Sequence, residues 1–100
     1  MPNILISEDA ATASRGTLVD ANNVNNVYFT RLNGPTWPDS VPPGNYQFSC
    51  IVIGSVGTKV TVAANDADNP GTVLGTTSAT LTGTPGATVE QTIVLNFLVP

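Results

Sequence analysis

The sequence predicts an all-β fold, an antiparallel β-sandwich or jelly roll, on three observations. Residues 46–53, 58–64 and 89–99 carry apolar side chains at alternate positions, the period of a half-buried strand. Glycine, proline, asparagine and aspartate cluster between them at 54–57, 66–71 and 83–86, where tight turns need them. Valine and threonine are abundant throughout, and turn signals every dozen residues or so suit short strands stacked in two layers.

The elements follow in chain order. Residues 7–15 are rich in Ala, Ser and acids, and Ser7 ahead of Glu8 and Asp9 would cap a short helix well. The same residues fit an extended arm equally well, so 1–16 read as an N-terminal arm on a single domain spanning 1–100. Gly16 ends that segment, and residues 17–19 add a short strand. Residues 25–32 alternate, with Val27, Phe29 and Arg31 on one face and Tyr28, Thr30 and Leu32 on the other. The stretch 33–45 holds four prolines and two glycines, which predicts a stiff loop with no ladder through it.

In residues 46–53, Tyr46, Phe48, Cys50 and Val52 share a side, while Ile51 and Ile53 make the other face apolar too, as in a strand covered on both faces. A turn at 54–57 leads into 58–64, where Val60, Val62 and Ala64 oppose Lys59 and Thr61, and the pair reads as a hairpin. Short segments at 72–74 and 76–82 flank Gly75. The last strand puts Val89, Ile93, Leu95, Phe97 and Val99 on one face.

Composition excludes several function classes. Charged residues are only 10% of the chain, against about 25% in ordinary soluble domains, and the net charge is -4. A nucleic-acid binder needs a basic stripe to neutralise phosphates, and this chain has three Lys+Arg in all. With His 0 and Cys 1, metal and nucleophile constellations lack raw material, and no apolar run approaches the ~18 residues of a membrane helix. The N-terminus lacks the basic start and long apolar segment of a signal peptide, which for a complete chain points to folding in a cytoplasm.

Candidate chemistry is sparse. Asp66, Asp68 and Asn69 before Gly71 resemble the start of a calcium loop, but Thr77 stands where such a loop needs its bidentate Glu, so a β-turn is the better reading. Glu8, Asp9 and Glu90 read as solvated surface acids, and Cys50 as a core residue without a base to activate it. These features imply a non-enzymatic protein with no cofactor and no metal. Only one Lys is present to guard a strand edge, and edges without charge recruit other chains, so a subunit packed in an assembly is favoured. The partner-binding candidates are Ile4, Leu5 and Ile6 on the arm and Trp37 in the rigid loop, where tryptophan either caps the sandwich or makes the contact.

Residues 43–49 (PGNYQFS), 57–62 (GTKVTV), 71–77 (GTVLGTT) and 92–95 (TIVL) resemble the β-sandwich pattern of small phage virion proteins, namely capsid decoration or cement proteins and tail or head-fibre domains. The resemblance implies a virion subunit assembled in the host cytoplasm. It also implies attachment to the major capsid protein or other virion subunits, and a homo-oligomer, with a trimer ahead of a dimer. The same residues are similar to carbohydrate-binding jelly rolls, which would imply a glycan-binding or adhesin module. A sugar platform needs two or more free aromatics, and Tyr46, Phe48 and Phe97 are taken by the core pattern, leaving Trp37 and Tyr28.

Overall fold

The computed structural model describes residues 1–9, 12–32 and 34–100. Eight strands run in chain order: β1 (Asn3–Glu8), β2 (Thr12–Asp20), β3 (Asn23–Leu32), β4 (Thr36–Ser40), β5 (Gly44–Ser55), β6 (Lys59–Asp66), β7 (Val73–Thr80) and β8 (Thr88–Val99). They form two four-stranded antiparallel sheets, one ordered β4-β1-β6-β7 and the other β3-β2-β5-β8. This is the β-sandwich that alternation and turn chemistry predict, and no helix occurs among the described residues. Hairpins join β2 to β3 and β6 to β7, while every other connection crosses from one sheet to the other.

The core lies between the sheets. Strand β5 contributes Tyr46, Phe48, Cys50 and Val52, and β8 contributes Ile93, Leu95, Phe97 and Val99, as their period of two requires. Facing them are Ile4 and Ile6 of β1 with Val60, Val62 and Ala64 of β6. Trp37 packs on Phe48 with ring centroids 5.0 Å apart, and Tyr46 stacks on Phe97 at 5.7 Å.

Two glycines permit approaches that a side chain would block. A Cβ on Gly16 would lie 2.7 Å from both Phe48 Cζ and Trp37 Cε2, so the bare backbone of β2 is what the indole rests against. A Cβ on Gly75 would lie 2.7 Å from Phe97 Cβ and 3.2 Å from the Asn96 carbonyl oxygen. There β7 of one sheet closes down on β8 of the other.

Several expectations are corrected. The N-terminal segment is not an arm: β1 lies inside its sheet between β4 and β6, with Ile4 and Ile6 fully enclosed. Strand alternation drives this, because Ile4, Ile6 and Glu8 share the inward face. The described part of 7–15 is extended rather than helical, residues 10 and 11 of that reading lie outside the described residues, and Gly16 sits within β2 instead of ending a segment. Asn33 also lies outside the described residues, but the proline-rich stretch beyond it contains a strand, β4, laddered to β1 with Pro38 opposite Leu5. Proline is tolerated because β4 is an edge strand, where a missing amide donor costs no ladder bond.

The stretches 46–53 and 58–64 do not form a hairpin, since β5 and β6 belong to different sheets. The turn between them, closed by the Thr58 amide on the Ser55 carbonyl at 3.1 Å, carries the chain across the sandwich. The segments either side of Gly75 are one strand, β7. Val27 and Phe29 do not share an environment: the ladder pairs Leu18 with Phe29 but Val19 with Val27, so Tyr28 is an inserted residue, a β-bulge. Phe29 is buried while Val27 is exposed, and Tyr28 meets Tyr46 edge-on at 5.1 Å. Finally, β5 is covered on one face only, and Ile53 is exposed on the other.

Candidate functional site

The partner-binding candidates separate by strand parity. Ile4 and Ile6 point between the sheets and Leu5 points out, so of the three only Leu5 has an exposed side chain. Trp37 is 1% exposed, held by Phe48 and the Gly16 backbone in the middle of the core, neither a cap on the end of the sandwich nor a surface contact. Its indole N–H finds no acceptor among the described residues. Ile4, Ile6 and Trp37 therefore cannot touch a partner while the sandwich is folded.

The acids are likewise dispersed. Glu8 is buried, contrary to the expectation of a solvated acid, because it continues the inward row of Ile4 and Ile6. Asp9 accepts the Thr61 amide at 2.7 Å, and Glu90 lies on the outer face of the other sheet. In the 66–71 turn the Asp68 amide donates to Asp66 Oδ1 at 2.9 Å, and the Asn3 side-chain amide donates to the Asp68 carboxylate at 3.2 Å. These carboxylates brace the turn locally and tie it to β1. Cys50 is enclosed, and burial, with a smaller contribution from the nearby Glu8 charge, pushes its thiol up to about 11. At neutral pH it is a protonated core side chain with no nucleophilic character.

What the molecule presents outward is the broad face of the β3-β2-β5-β8 sheet. The ladder places its outward residues in cross-strand rows: Leu32, Arg15, Ile51 and Thr92; then Thr30, Thr17, Ser49 and Val94. Gln47 beside Asn96, and Asn45 beside Leu98, extend the face toward one end, and Ile53 beside Glu90 toward the other. Leu32 is 66% exposed, Leu98 54%, Val94 46% and Ile53 37%. Among the described residues, Arg15 and Glu90 are the charged groups in these rows. A sheet face normally alternates apolar-in with polar-out, so this outward set is a departure in the direction of an interface.

Sequence reasoning missed this face, although its signal was present: once Ile93, Leu95, Phe97 and Val99 are assigned inward, Val94 and Leu98 must point out. The opposite outer face carries mostly small residues, with Thr36, Ser7, Ala63 and Thr76 in one row and Thr61 beside Ser78 in the next, but a third row of Pro38, Leu5, Asn65 and Val73 adds two exposed apolar side chains, Leu5 and Val73.

The surface also carries concavities. A cavity of about 170 Å³ lies where the chain termini meet, between Pro2, Ile4, Asp66, Leu74 and Val99. A shallower depression of about 400 Å³ is bordered by Asn22, Asn45, Asn96 and Leu98 at one end of the broad face. Its lining contains no charged residue.

No family model matches this chain, and no curated protein and no solved structure matches it either.

Proposed function

We propose that this chain is a non-enzymatic structural subunit of a phage virion, one that decorates or cements the capsid, located in the virion and assembled in the host cytoplasm. The observation that carries the reading is the broad outward face with Leu32, Ile53, Val94 and Leu98 exposed and two charges, Arg15 and Glu90, along it. A free monomer gains nothing from such a face, whereas a subunit that assembles with its own copies on the shell buries it. Attachment runs through sheet faces rather than through a detachable arm, because β1 is an interior strand of the fold.

The test is cosedimentation of the purified protein with shells of the virus that encodes it. The wild type pellets with shells, and replacing Val94 and Leu98 by Asp abolishes pelleting without lowering the melting temperature. Absence of wild-type pelleting refutes the reading. The second reading, a glycan-binding module, is favoured by the uncharged depression bordered by Asn22, Asn45 and Asn96, whose carboxamides suit paired sugar hydroxyls. Saturable binding on a glycan array, lost in Asn45→Ala, would select it.

A further inference from the structure

We propose that the outer face of the β3-β2-β5-β8 sheet is the contact between two copies of this chain, stacked face to face about a twofold axis running along β5. The inference rests on reading the chain as an assembling subunit and names the surface and the partner.

The placement of charge singles out a second copy. Arg15 lies on β2, opposite Ile51, and Glu90 lies on β8, opposite Ile53, so the two charges flank β5 on its two sides, one residue pair apart along the strand. A twofold axis along β5 sets β2 of one copy over β8 of the other. Arg15 then faces Thr92 of the partner copy and lies one step, ~7 Å along the strand, from the partner's Glu90. By symmetry the pair forms twice, so each charge entering the interface meets its opposite.

Apolar and hydroxyl groups fall into register under the same operation. Ile51 and Ile53 meet their own counterparts on the axis, and Val94 lies over Thr17. An isologous contact demands this kind of self-complementarity, and the face supplies it without a net charge to repel.

Area agrees. Strands β2, β5 and β8 overlap in this arrangement while β3 overhangs, and strand spacing and rise give the overlap a flat footprint of roughly 500 Å² per copy, or about 1,000 Å² in total, the size at which a specific contact begins. The −30° at which twisted sheets stack aligned keeps the long axes of both copies together.

Sedimentation equilibrium of the intact chain tests the proposal, with circular dichroism confirming that each variant keeps its β spectrum and melting temperature. The wild type is a dimer. Ile53→Asp, placing two carboxylates on the axis, weakens it by at least tenfold. Arg15→Glu weakens it, and adding Glu90→Arg restores it, which a nonspecific apolar contact would not do. A wild type that is monomeric at about 1 mM overturns the proposal, as does a trimer indifferent to Ile53→Asp, or a double charge swap no tighter than the single one. The outcome is separable from shell binding: a dimer that ignores capsids leaves this inference standing and removes the virion reading, and a monomer that pellets with capsids does the reverse.

Discussion

Adding one carbon at Gly16 tests how the core is held. In Gly16→Ala the new Cβ would sit 2.7 Å from Phe48 Cζ, 2.8 Å from Phe48 Cε1 and 2.7 Å from Trp37 Cε2. All three belong to rings, and both rings are buried to 1% exposure or less, so neither has a flexible end to swing aside. Overpacking of this kind costs about 1–3 kcal/mol. The lower entropy of an unfolded chain with Ala in place of Gly returns roughly 0.4–1 kcal/mol, leaving a net loss of about 1–2 kcal/mol. For a domain of this size, that corresponds to a fall in melting temperature on the order of 5–15 °C. The chain has one tryptophan, Trp37, and it is in the contact, so urea unfolding followed by its fluorescence reads stability and local packing together. Phe48→Leu removes both clashing Phe48 atoms and lets the indole shift into the vacated space. The double variant is therefore less destabilised than the sum of the singles by about 1 kcal/mol. A neutral Gly16→Ala, or additivity within ~0.5 kcal/mol, would refute the packing described.

Alkali should destabilise the fold through its buried acids. Burial pushes the Cys50 thiol up to about 11 from an ordinary value near 9, and burial likewise raises the Tyr46 phenol, whose hydroxyl donates to the Pro42 carbonyl. Both folded-state values lie above their unfolded ones, so the neutral forms stabilise the fold fully below about pH 9; the thiol's contribution is lost as pH rises through 11, and the phenol's at higher pH still. Melting temperature should hold to pH 9 and then fall, with a shallower slope in Cys50→Ala; an equal slope would discount the thiol. Arg31 joins the open edges of the two sheets: its guanidinium pairs with Asp39 at 3.4 Å, donates to the Pro38 carbonyl and lies 4.4 Å from the centre of the Phe29 ring. Because this side chain is 42% exposed, Arg31→Ala should cost only about 1 kcal/mol and less in high salt, and a salt-independent loss above about 2 kcal/mol would contradict a screened surface tie.

Legibility in the sequence tracked the length and regularity of each strand. Strands β5 and β8, of twelve residues each, announce themselves because their inward sets alternate over several turns of the period. Strand β1 was lost because Leu5 stands between Ile4 and Ile6, and a three-residue apolar run hides a period of two. Strand β4 was lost because Pro38 forbids only one side of a ladder, and sequence does not say which strands are edges. The assignment of strands to sheets was illegible for a related reason. A glycine turn at 54–57 serves a hairpin or a crossing between layers equally well, and long-range packing decides. Without β4 in view, Trp37 looks like a loop residue and therefore like a candidate contact. The broad outward face was visible in β8 alone, and needed the register with β2 and β5 to become a surface.

Sparse charge had raised the question of how the strand edges avoid pairing with other chains, and the fold answers it largely by geometry. Strand β4 is five residues long and carries Pro38, which withholds a donor. Strand β3 is interrupted by the bulge at Tyr28 and anchored to β4 by Arg31. On the other side, Gly75 lets β7 close onto β8, so those edges shield each other without a charged residue. Edge-to-edge growth into a continuous sheet is thereby discouraged at all four boundaries. Association through a face is a different matter, because faces do not depend on unpaired backbone groups and are limited by what side chains present. With the edges closed by proline, bulge and glycine, the outward Ile53, Val94 and Leu98 are left as the apolar surface with most to gain from contact, which is why association of this chain is expected to proceed by stacking of sheets rather than by addition of strands.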